Sequence, residues 1–295
     1  MLSGRLGIEI ARAPHADRHG VLYVEHCKVA VEDGCITFET SGFEGLEAGR
    51  YVVPFQTVSA LLLGPGSSVS HDVMRIAGSH GMLILAVGTE GVRLYSCPPL
   101  GADSSELARR QVRVWADPDT RLQIARRLYA WKLGEVLPSA DITVLRGIEG
   151  ARAKESYKVI ADRFHVEWHG RRFDRDRPDG ADVPNQAINY ASTCVYAAAG
   201  IAVAVTRTIP QLGFIHEASG EAFVLDIADL FRDDITLPVA FMAVTKHKTS
   251  QLSLDKIVHR ECGAIFRKER LIAGMIEKIN KLLGMGDDSV ISRDK

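Results

Sequence analysis

The chain has little excess charge, no paired cysteine motif and no nucleotide-binding loop, and each shortage excludes something. Across 295 residues, 36 Lys and Arg nearly balance 37 Asp and Glu, a formal net charge of −1. Bulk charge therefore announces no polyanionic partner, and any nucleic-acid footprint has to be local. The five cysteines, Cys27, Cys35, Cys97, Cys194 and Cys262, are odd in number and show no CxxC spacing. They read as reduced packing thiols, and not as a zinc site or a disulfide framework. The sequence contains no GxxxxGK[ST] phosphate loop, which is consistent with chemistry that needs no nucleotide cofactor. The N-terminus lacks a basic-then-apolar signal pattern, so a cytoplasmic location is expected. No internal repeat is apparent.

One long uncharged run exists, from Val183 to Thr206. It is long enough to span a bilayer, but it contains Asn185, Gln186 and Asn189, many alanines and few leucines. Its transfer energy into lipid would be poor. Asp182 is a cap candidate and Pro184 sits in the first turn. The run is expected to be the central buried helix of a helical domain, with no membrane partner.

With 46% hydrophobic and 25% charged residues, the chain has the composition of a globular protein long enough for two cores. Residues 1–97 are strand-rich: LYVEHCKVAV, GCITFET, GRYVVPF and MLILAVG alternate or run apolar between turn residues such as Asp33-Gly34. Ser70 to Ser79 carries helical spacing. This part holds seven Lys and Arg against ten Asp and Glu. It predicts an antiparallel β-domain with one small helix. Residues 98–105 form a Pro-, Gly- and Ser-containing linker. Residues 106–284 turn helical, with segments at Glu106–Val114, Thr120–Leu133, Asp141–Phe164, Asn185–Thr206, Phe223–Phe231 and Leu237–Lys246. Two more are expected in Leu254–Leu283, broken near Gly263. Residues 285–295 read as a frayed polar tail. The fold class is α+β.

Basic residues gather early in the helical part: Arg109, Arg110, Arg113, Arg121, Arg126, Arg127 and Lys132, opposed only by Asp117 and Asp119. Such a stripe fits either a solvated helix surface or a track for phosphates. Trp115, Trp131 and Trp168 read as core anchors.

Two stretches carry candidate chemistry. GFIHEASGEAFVLDIADLFR, from Gly213 to Arg232, sets His216 ten residues before Asp226, and Asp229 one helical turn further. On a helix the two aspartates share a face, and a helix starting near Phe223 would aim its first amides at anions. Imidazole and carboxylate together suit a divalent metal; an acidic helix start beside a loop histidine fits the same residues. LRGIEGARAKESY, from Leu145 to Tyr157, places Glu149 between Gly147 and Gly150, with Arg146, Arg152 and Lys154 around it. Glycine costs a helix about 1 kcal/mol relative to alanine. The pair therefore predicts close approach of another backbone or of a ligand.

LRGIEGAR, GFIH and LDIADLFR, in this order and spacing, resemble CRISPR-associated protein 1, the integrase subunit of CRISPR spacer acquisition. VSHDVMRIA, GVRLYS, WHGRRFD and INYASTCVY are most similar to its subtype I-E branch. The resemblance runs from about Gly20 to Gly284. It implies Glu149, His216 and Asp226 as catalytic metal ligands, with Asp229 as an accompanying acid. It also implies DNA contacts at Arg146, Arg152 and Arg232, and at Arg75 and Arg93 in the β-domain. In this setting Arg109, Arg113 and Arg126 of the stripe are read as phosphate contacts. His26 occupies a position where an aromatic ring stacks on a duplex end. Two positions depart from the family pattern: Glu217 stands where a small or neutral residue is frequent, and Ser219 where a basic one is.

The activity implied is DNA integration dependent on Mg²⁺ or Mn²⁺, with a 3′-hydroxyl of protospacer DNA attacking a phosphodiester at the leader–repeat end of a CRISPR array. Asp229 would orient a ligand or a bound water. The implied assembly is a homodimer, two of which are bridged by a dimer of CRISPR-associated protein 2. The strand-rich domain offers edges suited to self-association. Two other readings fit the same residues: a metal-dependent endonuclease or branched-DNA resolvase that uses water, and a non-catalytic DNA-binding scaffold, which would tolerate loss of metal.

Overall fold

In the computed structural model, residues 20–42, 46–55, 58–96, 105–136, 141–172 and 181–284 are described. The chain divides into two compact units, 1–86 with 96–104, and 87–95 with 105–295. The segment 87–95, assigned to the β-domain from sequence, thus belongs to the second unit. Cys97, linker residues 98–104, the loop core 173–180 and the tail lie outside the described residues.

In the first unit, β2 (Cys27–Glu32), β3 (Cys35–Thr40) and β4 (Gly49–Val53) form an antiparallel meander. Asp33 and Gly34, both at positive φ (49° and 76°), make the two-residue turn between β2 and β3; the reversed twist of such a turn matches that of the strands it joins. Alternation puts Val29 opposite Phe38 in the buried layer, and Phe38 stacks on its other neighbour, Tyr51, at 5.1 Å. The short β6 (Ser68–Val69) adds to β2 in parallel. A second layer sets β1 (Gly20–Val24), β5 (Val58–Leu63) and β7 (Leu83–Val87) side by side, all parallel. The antiparallel expectation therefore holds only for the β2–β3–β4 meander. The other strands read as continuous apolar runs, β5 above all, and such runs belong to parallel strands covered on both faces. The helix α1 (His71–His80) contributes Val73, Ile76 and Ala77 to the core. His26 adopts a left-handed backbone (φ 48°) and donates its N–H to the Pro65 carbonyl.

The second unit is helical: α2 (Glu106–Ala116), α3 (Pro118–Leu133), α4 (Ile142–Arg163), α5 (Val183–Thr206), α6 (Ala222–Asp229), α7 (Leu237–His247), α8 (Leu254–Lys268) and α9 (Leu271–Leu282). Asp182 caps α5 by accepting from Asn185 N–H at 3.0 Å. α5 is long and apolar enough to cross a membrane. Here it is the hub, packed by α6, α7, α8 and α9, with Ala191, Ala198, Ala199 and Ala202 fully buried. Small side chains let four helices approach one axis. Trp168 anchors as expected, stacked on Tyr157 and edge-on to Phe241.

The helix break predicted near Gly263 lies instead at Glu269–Arg270, where Arg270 is left-handed (φ 48°). Gly263 is buried inside α8 for another reason. A Cβ there would lie 2.8 Å from the Cβ of Glu90, whose carboxylate Arg267 holds at 2.7 Å.

Candidate active site

The site begins with a buried carboxylate. Asp226, on α6, is 1% exposed. Its Oδ2 accepts the N–H groups of Phe214 (2.5 Å) and Ile215 (3.1 Å), and its Oδ1 accepts the N–H of His216 (3.0 Å). The loop 213–216 is therefore wound around one side chain, which satisfies donors that burial would otherwise leave unpaired. Gly213 starts this winding because a Cβ there would collide with the His216 carbonyl and fall 2.7 Å from the Ala222 Cβ. Phe214 seals the loop edge-on against Phe223. The amide of Phe223 at the start of α6 donates to the Pro210 carbonyl at 2.8 Å, so it is used by the loop and does not face an anion.

The same Asp226 Oδ1 lies 2.7 Å from His216 Nδ1. This contact fixes the ring and leaves Nε2 as the nitrogen able to act on a ligand. The hydrogen bond to Asp226 raises the His216 pKa above its ordinary value, against the opposing pull of burial.

Glu149 on α4 and Asp229 at the end of α6 meet on a single ammonium. Lys132 Nζ, from the last turn of α3, is 2.7 Å from Glu149 Oε1 and 3.3 Å from Asp229 Oδ2. Arg232 opens the π-helical turn Arg232–Thr236. It reaches the other oxygen of Asp229 at 2.5 Å and lies 3.7 Å from Glu149. Burial works against its charge, but Asp229, the phenols of Tyr157 and Tyr196, and Glu149 outweigh that and hold it firmly protonated. Glu149, Asp229 and Lys132 line a cavity of about 630 Å³ together with Tyr129, Arg146 and His216. Burial, then the charge of Glu149, keeps the Tyr129 phenol neutral.

A cation is already the organising charge here, and that bears on whether a metal fits. Among the described residues no cluster of three His, Cys, Asp or Glu side chains stands ready as a metal cage. Two carboxylates nevertheless converge on one positive charge, with an oriented imidazole on the same cavity wall. Hard divalent cations prefer the two carboxylates, to which the imidazole adds one nitrogen donor, and they keep further positions for water or phosphate. The residues fit Mg²⁺ or Mn²⁺ once Lys132 yields its place. Asp226 is poorly suited to ligate: its oxygens already serve three backbone amides and a ring nitrogen.

The glycines flanking Glu149 have open space where a Cβ would be; apart from the adjoining residues and backbone of α4 itself, no described protein atom lies within 4 Å of either Cβ position. The predicted approach of another backbone does not occur among the described residues, and that flank of α4 stays bare. Arg146 reaches across and donates to the Ile215 carbonyl at 2.9 Å, so it braces the histidine loop. Arg152 points away and pairs with Glu135. Arg109 and Arg113 are exposed on α2, whereas Arg126 is half-buried on α3. Arg93 contacts His259 at 3.3 Å, and Arg75, on α1 of the first unit, pairs with Asp72. Glu217 has a partner of its own, Arg121 at 2.9 Å.

Sequence reasoning missed the brace behind the loop. Gln111 is fully buried and makes three bonds to the 209–212 backbone: it donates to the Ile209 and Leu212 carbonyls and accepts the Ile209 N–H. Trp115 donates to the Gly213 carbonyl at 2.9 Å. A glutamine on the apolar face of α2 was the signal. Lys132 was visible only as the end of a basic stripe.

The profile of the family described as CRISPR associated protein Cas1 matches residues 21–137 and 132–268. The chain belongs to this family. The CRISPR-associated endonuclease Cas1 of Escherichia coli K12 is 31% identical over 276 residues, 93% of this chain and 88% of the relative. The endonuclease of that name from Clostridium sp. SY8519 is 32% identical over 278 residues, 94% and 90% of the two chains. Among solved structures, the TtCas1–DNA complex superposes with a TM-score of 0.79 at 30% identity, covering 90% of this chain and 96% of that one. A casposase bound to integration product shares the fold at a TM-score of 0.63 and 15% identity, covering 90% and 96%.

Proposed function

We propose that this Cas1-family chain is a metal-dependent DNA integrase of CRISPR adaptation. It joins a 3′-hydroxyl of protospacer DNA to a phosphodiester at the leader–repeat end of an array. The observation that carries this reading is the convergence of Glu149 and Asp229 on one cation position, beside a His216 ring fixed by Asp226. The ligand set we favour is Glu149, His216 and Asp229. Asp226, implied as a ligand by the family resemblance, becomes the residue that positions the histidine.

A divalent ion held there would polarise the phosphodiester and lower the pKa of the attacking hydroxyl. The chain's own residues supply the rest. Arg232, firmly protonated beside Asp229, offers a fixed positive charge to the transferring phosphate. Arg146 keeps the histidine loop closed, and exposed Arg109 and Arg113 track the DNA backbone. The transfer exchanges one phosphodiester for another, so no external energy source is needed. The DNA complex of TtCas1, the casposase fold and the endonuclease relatives agree with this reading.

The finer assignments of the same proposal are a subtype I-E enzyme acting in the cytoplasm, and a homodimer bridged to a second by CRISPR-associated protein 2. The names of the relatives favour one second activity, hydrolysis of branched DNA with water in place of the 3′-hydroxyl.

The test is strand transfer of a labelled protospacer duplex into a plasmid bearing an array, with purified partner protein and Mg²⁺ or Mn²⁺. Glu149→Gln, His216→Ala and Asp229→Asn should each abolish product, as should chelation. Full strand transfer after chelation would contradict the metal dependence, whereas DNA binding that survives chelation with no strand transfer under any condition would support the non-catalytic scaffold.

A further inference from the structure

We propose that Lys132 is a placeholder cation: it holds the metal position between Glu149 and Asp229 and is displaced when a divalent ion binds. The inference rests on the metal-site reading above. Its basis is which oxygen each cation uses. Lys132 takes Oε1 of Glu149 and Oδ2 of Asp229, the pair of oxygens facing one another across the position. Arg232 takes Oδ1, the other oxygen of Asp229, and only approaches, at 3.7 Å, the Glu149 Oε1 that Lys132 holds at 2.7 Å. A metal can therefore replace the ammonium without breaking the Arg232 pair. The two cannot share the position, because an ammonium within bonding distance of both oxygens stands where the metal would stand, and two positive charges in a half-buried cavity repel strongly.

The arrangement has a physical purpose in metal-free protein. Glu149 and Asp229 are 20% and 14% exposed, and two carboxylates this close would repel and drift apart or take up a proton. A flexible lysine stem is suited to the role, since its compact charge swings on four carbons, whereas the planar arginine fork is fixed by its two-sided pairing. Once displaced, the ammonium stays tethered at the wall of the cavity. There it is free to meet a phosphate oxygen, so metal loading creates a phosphate contact that was absent before.

An ordinary structural ion pair makes the opposite predictions. In full-length protein without DNA, Mn²⁺ is titrated by calorimetry against wild type, Lys132→Met and Glu149→Gln. Removing the competitor should tighten Mn²⁺ binding by roughly tenfold or more. Lys132→Met should also melt earlier than wild type without metal and gain more from saturating Mn²⁺. A Kd equal to or weaker than wild type in a folded Lys132→Met protein would overturn the proposal. If that variant does not fold, lysine acylation of wild type, read by mass spectrometry, decides. Lys132 should be protected without metal and should label readily at saturating Mn²⁺; unchanged labelling overturns the proposal. Wild-type binding that Glu149→Gln leaves intact would overturn both this proposal and the metal-site reading, whereas Glu149-dependent binding with unchanged Lys132 behaviour overturns only the placeholder.

Discussion

At the scale of single residues the site turns on how one aspartate differs from another three positions on. Asp226 and Asp229 look interchangeable in LDIADLF. Burial separates them: the Asp226 side chain is fully buried with a loop wound around it, whereas that of Asp229 is 14% exposed. Asp226→Asn replaces an acceptor oxygen with an amide facing backbone donors, and should cost on the order of 2–4 kcal/mol in urea denaturation. It should also loosen the His216 ring. Asp229→Asn leaves Lys132 paired with Glu149 at 2.7 Å, and should remove Mn²⁺ binding. The sign of the pH effect follows from the raised His216 pKa. The folded protein holds that proton more tightly than the unfolded chain, so the imidazolium–Asp226 pair stabilises fully below the unfolded pKa near 6.5. That contribution fades as pH rises through the folded value. Denaturation of metal-free wild type and His216→Gln on both sides of the transition should show the gap shrinking at high pH. A gap that widens with pH would contradict the pairing. The histidine, the glutamate and both aspartates were legible in the sequence as candidates. Which acid faces solvent was not, because helical spacing places both on one face while tertiary burial decides which oxygen is accessible.

At the scale of elements, periodicity located the helices α1 to α9, and the errors lie where glycine was taken as punctuation. Gly263 reads as a break, yet α8 runs through it, and its missing side chain makes room for Glu90. Gly263→Ala should cost about 1–3 kcal/mol by overpacking, measured by chemical denaturation. An unchanged midpoint would mean that Glu90 swings aside without loss. Gln111 shows the converse: a polar residue that stabilises by ordering a loop far along the chain. Gln111→Ala leaves the Ile209 amide and two carbonyls without this partner, and should cost on the order of 2–4 kcal/mol. Strand partners were also beyond local reading. The continuous apolar run VSALLL signals a strand covered on both faces, as parallel strands are, but which strands it pairs with depends on crossovers set by chain topology.

At the scale of the whole molecule, a chain with almost no net charge is proposed to handle a polyanion, so its basic residues have to be concentrated. Arg109 and Arg113 are exposed on one face of α2, while Arg121 is engaged by Glu217 and Trp115. Replacing Arg109, Arg113 and Arg126 with alanine should weaken duplex binding whatever its sequence. It should also reduce the slope of log affinity against log salt by roughly 0.9 for each phosphate no longer neutralised. An unchanged slope would make α2 an ordinary solvated face. The most direct measurement of the central claim is strand transfer into an array plasmid by wild type and Asp229→Asn, with Mn²⁺ binding followed on the same samples. The account predicts that wild type binds Mn²⁺ and forms the joined product, and that Asp229→Asn does neither while remaining folded. Joined product from Asp229→Asn at the wild-type rate, or from wild type after complete chelation, would contradict it.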